Sequence, residues 1–579
     1  MNEGLRTASG GRIDRSRPLS FKFDGVGYSG FAGDTLASAL LANGVHLLGR
    51  SFKYHRPRGV LAAGAEEPNA LVGVRRDAAR YTPNVRATQL ELYEGLEVES
   101  QNRWPSLAFD VGAINDLIAP FIPAGFYYKT FMWPRRAWKS FYEPRIRAAA
   151  GLGTAPRLAD PDRYAARYAH CDVLVVGAGP AGLAAAAAAA ATGARVMLCD
   201  EQSELGGMLL SRDAREPARI DARSPDEWLD STLAALAANR RVTLLPRTTA
   251  FGYFPHNLVS LNERLTDHLP VTPPEWPRER RWLVRAREVV LATGAIERPL
   301  VFPGNDRPGI MLASAARTFL NRYAVRPGSR VVLVTATDEA YAVALELQRS
   351  GVFVAMIADV RPGDSGAASR AREARIPVLA GATVLGTNGR RRVSAIHLAQ
   401  LEGGVPTTTQ LQPCDLVLMS GGYTPSVHLH SQSRGKLQWD ERLQAFLPGA
   451  PSERVRSVGG CRGVLELAAA LVDGAAAGSA AARAAADPAR RGVRPAGVAP
   501  AAAPAATGTS RSDGRAGWVS DALPRPSGAR GRAFVDWQND VTTRDLALAT
   551  REGFHSIEHV KRYTTTGMAT DQGLSLIHI

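Results

Sequence analysis

The stretch from Cys171 to Gly207, CDVLVVGAGPAGLAAAAAAAATGARVMLCDEQSELGG, decides the fold. Its apolar run VLVV predicts a buried strand, the glycines after it predict a tight turn, and the alanine-rich run predicts a helix. A second apolar run ends on the acids Asp200 and Glu201, about 20 residues further on. This order of strand, glycine turn, helix and acidic strand end predicts a dinucleotide-binding βαβ unit.

The glycines of this turn have separate physical roles. Gly177 permits the tight turn, Gly179 lets the backbone approach a pyrophosphate, and Gly182 lets the helix pack closely on the strand. The phosphates would lie at the positive N-terminus of the helix. We therefore predict pyrophosphate contacts from this turn, namely from Gly177, Ala178, Gly179, Ala181 and Gly182.

The far end of the predicted βαβ unit indicates which dinucleotide it takes. Asp200, Glu201 and Gln202 are predicted at the ribose and its surroundings, where a carboxylate repels a 2′-phosphate, so NADP is disfavoured. Four further residues are predicted from the architecture alone: Met208 and Thr248 beside the adenosine, and Gly460 and Leu465 beside the other half of the dinucleotide. No catalytic residue and no metal ligand is assigned.

Three later segments repeat the step from strand to glycine, and they begin at Glu288, Asp415 and Arg454. Together they resemble the flavoprotein disulfide-reductase architecture, in which one dinucleotide domain is interrupted by another. In FAD members of that architecture the last strand ends in Gly-Asp, whose carboxylate holds the ribityl chain. This sequence has Gly459-Gly460 there, which favours NAD over FAD. It also lacks a CxxC pair, which excludes dithiol chemistry.

A second strand, helix and strand are predicted between Arg326 and Val360, but their turn contains no glycine. It reads TATDEA from Thr335 to Ala340. Side chains would stand where a backbone should approach phosphate, and Asp338 and Glu339 would repel an anion at the helix N-terminus. We therefore predict a structural layer with no bound nucleotide.

The N-terminal region from Leu19 to Val74 is predicted to form two short strands around Asp24-Gly25, followed by a helix that begins after Asp34 or Thr35. This pattern resembles the plant-type ferredoxin fold. An iron–sulfur cluster would need four cysteines after that helix, and the sequence has none before Cys171. The predicted domain is thus β-grasp, ferredoxin-like and without a cluster.

The composition of the chain limits which other kinds of protein it can be. The chain of 579 residues has 45% apolar residues and a formal charge of +15, and its arginines are scattered without a long basic block. Nucleic-acid binding is therefore not predicted, and an acidic partner subunit is the better use of a basic surface. Four distant cysteines predict neither disulfides nor a metal site. Without an apolar leader or a membrane-spanning run, we expect a cytoplasmic protein.

The C-terminal part begins with a linker rich in Ala, Pro, Gly and Arg. The segment after it is short for an independent core, so we expect it either to be poorly ordered or to dock through Phe534, Trp537 and Phe554. The final LSLIHI does not resemble the continuation of a domain. We expect a truncated or frame-damaged sequence after Gly573.

The predicted class is α/β, with a Rossmann architecture of two dinucleotide-binding domains. The segments are a ferredoxin-like domain (18–105), the first part of the dinucleotide-binding domain (165–325), a second, degenerate nucleotide-binding domain (326–408), the return segment of the first (409–486), a linker (487–532), and a C-terminal segment (533–579). The family resemblance described next implies that this last segment is the start of a truncated folate-binding domain.

Three phrases are more specific than the glycine turn: FDGVGYSGFAGDTLASALLANGVHLLGRSFKYHRPRGV, GAEEPNALV and QNDVTTRDLALATREGFHSIEHVKRYTTTGMATDQG. They are similar to the alpha subunits of heterotetrameric sarcosine oxidases. The resemblance implies NAD in this chain and tetrahydrofolate in an aminomethyltransferase-like C-terminal domain of the full-length protein. It also implies FAD in a beta subunit, FMN at the interface with that subunit, and small gamma and delta subunits.

The resemblance implies oxidative demethylation of sarcosine to glycine with production of hydrogen peroxide, and transfer of the one-carbon unit to tetrahydrofolate. This chain would not be active alone. Two alternatives stay open: a subunit of a related FAD-dependent opine, proline or amine dehydrogenase, and a scaffold subunit in which NAD is structural. A self-contained FAD/NAD(P)H reductase would need a second intact glycine turn and a redox group, and the sequence has neither.

Overall fold

The computed structural model describes residues 4–126, 133–149, 153–363, 365–402, 405–486, 506–507 and 531–568. The chain divides into two compact units. The first unit consists of Met1–Pro161, Glu297–Gly422 and Gly517–Ile579, and the second of Asp162–Ile296 and Tyr423–Ala516.

The N-terminal sheet of the first unit has five strands, in the order Val26–Ala32, Asp14–Phe23, Leu96–Ser100, Leu71–Arg75 and Tyr81–Arg86. The strands turn at Asp24-Gly25 as predicted, and a fully buried helix, Leu36–Ala42, packs with the sheet. Thr35 caps that helix: its side chain accepts from the Ser38 N–H while the Ser38 hydroxyl accepts from the Thr35 N–H. The two N-terminal strands, of ten and seven residues, are longer than the short strands predicted, and with the helix they match the predicted ferredoxin-like arrangement.

A second sheet of the first unit is entirely parallel, with strands in the order Ile310–Leu312, Leu416–Ser420, Arg330–Thr335, Phe353–Asp359 and Val378–Ala380. Its helices are Ala313–Asn321, Glu339–Arg349 and Gly366–Glu373. Strands from both sides of the predicted 326–408 segment thus belong to this sheet. A three-stranded antiparallel sheet follows, formed by Ala382–Asn388, Ala395–Glu402 and Val405–Pro413.

The described part of the C-terminal segment packs against the rest of the first unit. It has two short strands and two helices, Phe534–Asp536, Val541–Thr542, Thr543–Arg551 and Ile557–Thr564. Phe534 and Trp537 are fully buried in the core that includes both the N-terminal and the parallel sheets. The Phe554 ring packs on Tyr563 at 4.7 Å between centroids. Phe534 and Trp537 thus dock the segment as expected, whereas the ring contact of Phe554 is to Tyr563 within the segment itself.

The second unit is built on a seven-stranded sheet. Six strands follow the order Val242–Leu245, Val196–Cys199, Tyr164–Val176, Glu279–Leu291, Leu258–Arg264 and Thr248–Phe254, and Val455–Ser457 pairs with Glu279–Leu291. The strand Tyr164–Val176 has 13 residues and is longer than the predicted VLVV run, because it pairs with the equally long strand Glu279–Leu291. The principal helices are Pro180–Ala191, Pro225–Ala238 and Leu467–Ala486.

Two helices of the second unit approach each other through small residues. A β-carbon at Gly474 would lie 2.1 Å from the Ala181 carbonyl oxygen, and one at Gly478 would lie 2.1 Å from the Ala185 oxygen. Only glycine fits at such a distance, so Leu467–Ala486 is held against Pro180–Ala191 by backbone contact. The sheets and their covering helices confirm the predicted α/β class. Among the described residues, no helix is long and apolar enough to cross a membrane.

Candidate dinucleotide site

The turn from Gly177 to Gly182 connects Tyr164–Val176 to the helix Pro180–Ala191, and two of its glycines are required by close backbone contact. Gly177 has φ +98°, and a β-carbon there would lie 2.3 Å from the Ala292 oxygen. A β-carbon at Gly182 would lie 1.9 Å from the Gly177 oxygen. Both distances exclude a side chain, so these glycines shape the turn itself.

Gly179 differs from the other two glycines because a β-carbon there would meet no described atom within 4 Å. It is the N-cap of the helix, and Pro180 follows at the first helical position. Proline at this position removes an N–H that has no partner within a helix. Gly179 therefore faces open space at a positive helix N-terminus, the arrangement that accommodates a phosphate.

Asp200 ties the turn to the end of the neighbouring strand. Its carboxylate accepts from the Ala178 N–H at 2.7 Å and from the Gln202 N–H at 2.9 Å. Its carbonyl accepts from the Thr248 N–H at 2.7 Å. The Ala178 N–H is thus directed to Asp200, whereas we expected Ala178 to contact the pyrophosphate. Thr248 is buried, and its hydroxyl donates to the Pro246 oxygen at 2.9 Å.

The two residues after Asp200 are held through their own backbone carbonyl groups. The Glu201 carbonyl accepts from the Arg264 guanidinium at 2.9 Å, and the Gln202 carbonyl accepts from the Arg247 N–H at 2.8 Å. Met208 is 48% exposed. It follows Gly207, at which a β-carbon would lie 2.7 Å from Gly179 Cα. Met208 is therefore next to a residue in contact with the glycine turn.

The Gly459-Gly460 turn also reaches this site. A β-carbon at Gly459 would lie 2.8 Å from the Ala181 β-carbon, and one at Gly460 would lie 3.2 Å from the Ala295 nitrogen. Leu465 is half-buried and stands just before the helix Leu467–Ala486. The structure thus brings Gly459 to the helix that follows the glycine turn, whereas Gly460 lies against Gly294 and Ala295, and Leu465 follows a few residues later.

Two contributors to the site carried no clear sequence signal. The Asp473 carboxylate accepts from the Gly459 N–H at 2.8 Å and pairs with Arg462 at 2.9 Å, which fixes the Gly459-Gly460 turn. The Ala292 oxygen faces Gly177 and so completes the wall of the first turn. The four-residue spacing of Gly474 and Gly478 was visible in the sequence and could have indicated the close helix contact.

The corresponding turn of the first unit is filled by its own polar groups. The Thr335 hydroxyl donates to the Thr337 oxygen at 2.9 Å and accepts from the Thr337 N–H at 3.0 Å. Asp338 pairs with Arg361 at 2.6 Å. Asp359, which ends the next strand, pairs with the same Arg361 at 2.7 Å and accepts from the Tyr341 hydroxyl at 2.7 Å. The carboxylate of Asp359, at the position where an acid would bind a ribose, is therefore already engaged by Arg361 and Tyr341.

The four cysteines are buried and carry free thiols. Burial raises the pKa of Cys171 to about 12 and that of Cys414 to about 12, and it also raises the pKa of Cys199 and of Cys461. A thiol must lose its proton to act as a nucleophile, so these groups are inert near neutral pH.

The loop after the N-terminal helix is organised by a buried carboxylate. Glu67 accepts from four backbone N–H groups at 2.7–2.9 Å, those of Leu61, Ala62, Asn69 and Ala70. Burial raises the pKa of Glu67 to about 7, although these four donors favour the charged form. The loop is therefore shaped by hydrogen bonds to one side chain, in a domain whose sequence has no cysteine.

Three family models match the chain. The 2Fe-2S iron-sulfur cluster binding domain matches residues 16–103, the pyridine nucleotide-disulphide oxidoreductase matches residues 171–472, and the sarcosine oxidase A3 domain matches residues 530–578. The first match covers a region without the cysteine ligands that such a cluster needs. The second covers more than half of the chain.

Curated relatives match along nearly the whole chain. The sarcosine oxidase subunit alpha of Rhizobium meliloti (strain 1021) is 48% identical over 97% of this chain and 54% of its own length. The subunit alpha of Corynebacterium sp. (strain P-1) is 40% identical over 97% of this chain and 52% of its own length. The chain thus spans about half the length of the curated relatives it matches.

Among solved structures, an L-proline dehydrogenase from P. horikoshii aligns with a TM-score of 0.62 at 17% identity, covering 99% of this chain and 92% of that one. At this identity the likeness concerns the fold. The family model that spans the glycine turn agrees with the α/β architecture. The chain therefore belongs to the pyridine nucleotide-disulphide oxidoreductase family and is related along nearly its whole length to the alpha subunits of sarcosine oxidase.

Proposed function

We propose that the chain acts as the alpha subunit of a heterotetrameric sarcosine oxidase and binds NAD at the Gly177–Gly182 turn. The complex would demethylate sarcosine oxidatively to glycine, produce hydrogen peroxide and transfer the one-carbon unit to tetrahydrofolate. The observation that carries the proposal is the near full-length relatedness to sarcosine oxidase alpha subunits. The open space in front of Gly179 supports a dinucleotide at this turn.

The proposed NAD would be held chiefly by backbone and by the helix N-terminus. Gly179 would face the pyrophosphate, and Asp200 with Glu201 and Gln202 would lie at the ribose end. The carboxylate of Asp200 accepts from the Ala178 N–H, so it would also keep the turn in its binding conformation. Gly460, which stands where FAD members have an aspartate, supports NAD over FAD. NAD, when bound, supplies a nicotinamide capable of hydride transfer.

The chemistry of amine oxidation is assigned to partners. We place FAD in the beta subunit and FMN at the interface of this chain with the beta subunit, and we propose gamma and delta subunits as further partners. Tetrahydrofolate would act in the full-length protein. The inert, buried cysteines of this chain support the view that its described residues position cofactors without thiol chemistry.

A row of exposed apolar side chains supports contact with partner subunits. The segment after the N-terminal sheet exposes large residues that are usually buried, and their exposed fractions are 68% for Trp104, 67% for Phe109, 80% for Leu117, 74% for Phe121 and 84% for Trp133. Large exposed apolar surface of this kind marks sites of protein contact, which supports an interface with partner subunits along this segment.

The cofactor assignment is tested by acid extraction of the purified chain followed by chromatography. We expect about one NAD per chain because one of its two nucleotide turns is open. The Gly179→Ala variant, changed at the proposed site, is measured beside the native chain, and its extract should lack NAD. Recovery of FAD from the native chain would overturn the NAD assignment and favour the related dehydrogenases.

The assignment to a complex is tested by peroxide production from sarcosine, with and without the beta subunit. We expect turnover only with the beta subunit. L-proline and an opine, offered to the same complex, separate sarcosine oxidase from the dehydrogenase alternative. Full turnover by the isolated chain would contradict the proposal, and unchanged turnover after NAD is removed would favour a structural role for the dinucleotide.

A further inference from the structure

A cavity of about 320 Å³ in the first unit has an unusual lining of positive charge. It is distinct from the dinucleotide site, which belongs to the second unit. The lining residues are Arg56, Asp116, Pro303, Gly304, Arg307, Thr387, Gly531, Arg532 and Arg544. Four of these nine residues are arginines, and one is an acid.

Three arginines in and behind the wall are paired with carboxylates. Arg56 pairs with Asp306 at 2.6 Å and with Asp116 at 3.0 Å. Arg532 pairs with Asp116 and donates to its backbone oxygen at 3.0 Å. Behind them the buried Arg58 pairs with Asp306 and with Asp540 at 2.5 Å. These pairs join the N-terminal domain, the Asp306 loop and the C-terminal segment around the cavity.

The remaining two arginines have no carboxylate partner in the part of the chain that the structure describes. Arg307 donates to the Thr387 oxygen at 3.2 Å, while its Nε is buried without a partner. Burial lowers the pKa of Arg307, and the nearby carboxylate of Asp306 opposes this shift. Arg544 is exposed and stands in the first turn of the helix Thr543–Arg551.

The charges around the cavity do not balance. Five guanidinium groups, those of Arg56, Arg58, Arg307, Arg532 and Arg544, face three carboxylates. Two positive charges are left, and one belongs to a group with a buried donor that has no acceptor. A buried donor without an acceptor is costly, and a guanidinium fork fits the oxygens of a phosphate closely.

We propose that this cavity binds a phosphate dianion, either as inorganic phosphate or as the terminal phosphate of a small molecule. The dianion neutralises the two excess charges at a wall that includes Arg307, and Arg544 faces it from the exposed side. Arginine and phosphate form strong, charge-assisted hydrogen bonds. Because Arg532 and Arg544 come from the C-terminal segment, the bound phosphate also fastens that segment to the rest of the first unit.

The test is calorimetry on the full chain with inorganic phosphate, ribose 5-phosphate and ribose, in chloride buffer at pH 7.5. We expect phosphate to bind, and Arg307→Gln to weaken it about tenfold or more. Arg544→Gln, on an exposed residue that does not support the fold, should weaken it several-fold. Arg370→Gln, on the exposed face of the helix Gly366–Glu373, is the matched control and should leave the affinity unchanged.

The three probes distinguish the source of the phosphate. Tighter binding of ribose 5-phosphate than of inorganic phosphate assigns the cavity to a phosphorylated small molecule, and the reverse order assigns it to free phosphate. Absence of phosphate binding at 10 mM, equal losses in the Arg307→Gln and Arg370→Gln variants, or binding of ribose as strong as that of ribose 5-phosphate would overturn the proposal. Since Gly179→Ala removes NAD at the other unit, phosphate binding by that variant shows that the two sites are separate.

Discussion

The chain has two strand–turn–helix arrangements that begin alike and end differently. In the second unit the turn is Gly177–Gly182 and the neighbouring strand ends at Asp200. In the first unit the turn runs from Thr335 to Ala340 and the neighbouring strand ends at Asp359. Both acids are engaged within the chain, but by different partners.

The two acids differ in their hydrogen-bond donors: backbone N–H groups donate to Asp200, whereas side chains donate to Asp359. Asp200 accepts from the N–H groups of Ala178 and Gln202, so the space in front of Gly179 stays open. Asp359 accepts from the hydroxyl of Tyr341 and pairs with Arg361, whose guanidinium also reaches the helix start. The glycine turn leaves space for a ligand, whereas the charged groups at the turn of the first unit are paired with one another.

The largest expected effect follows from Gly182→Ala. Its β-carbon would meet the Gly177 oxygen at 1.9 Å, so the turn and the helix must move apart. We expect complete loss of bound NAD and destabilisation of about 3 kcal/mol, measured by acid extraction and by urea unfolding. Gly366→Ala, at an exposed helix start in the first unit, is the control and should change neither quantity by much. Retention of NAD by the Gly182→Ala variant would contradict the view that glycines make the turn of the second unit a binding site.

The next effect separates binding from folding. Gly179→Ala adds a β-carbon that touches no described atom, so we expect an unchanged melting temperature. The same methyl group stands where the pyrophosphate approaches, and we expect NAD affinity to fall about 100-fold, or about 2.8 kcal/mol. Calorimetric titration with NAD measures the affinity. An affinity within twofold of the native chain would show that the dinucleotide lies elsewhere.

The sequence predicted much of this contrast because both turns are local. Glycines at fixed spacing, and their absence after Thr335, indicate which backbone can approach a ligand. The partners of the two acids were not predictable, since Arg361 and Asp338 meet only when the strand and helix are in place. The direction of the Ala178 N–H and the contact of Asp473 with Gly459 likewise depend on distant backbone. The Arg307 cavity joins three separate parts of the chain, and no local pattern signals it.

A smaller effect on binding is expected from Asp200→Asn. The amide can accept from one of the two N–H groups but repels the other, and it removes the charge predicted at the ribose. We expect NAD affinity to fall about tenfold, or about 1.4 kcal/mol, and the preference for NAD over NADP to shrink. Parallel titrations with NAD and NADP measure both. An unchanged preference would show that Asp200 acts on the turn alone.

The last prediction concerns the turn of the first unit and expects no effect on NAD. Arg361→Gln removes the cation shared by Asp338 and the buried Asp359. Because Asp359 keeps the Tyr341 hydroxyl and Arg361 is partly exposed, we expect destabilisation of about 1–2 kcal/mol. NAD content should stay at the native level, because the dinucleotide is assigned to the other unit. Urea unfolding and acid extraction of the same sample measure both quantities. A fall in NAD content with the fold intact would mean that the turn without glycines also holds a nucleotide, and the contrast between the two turns would then have to be given up.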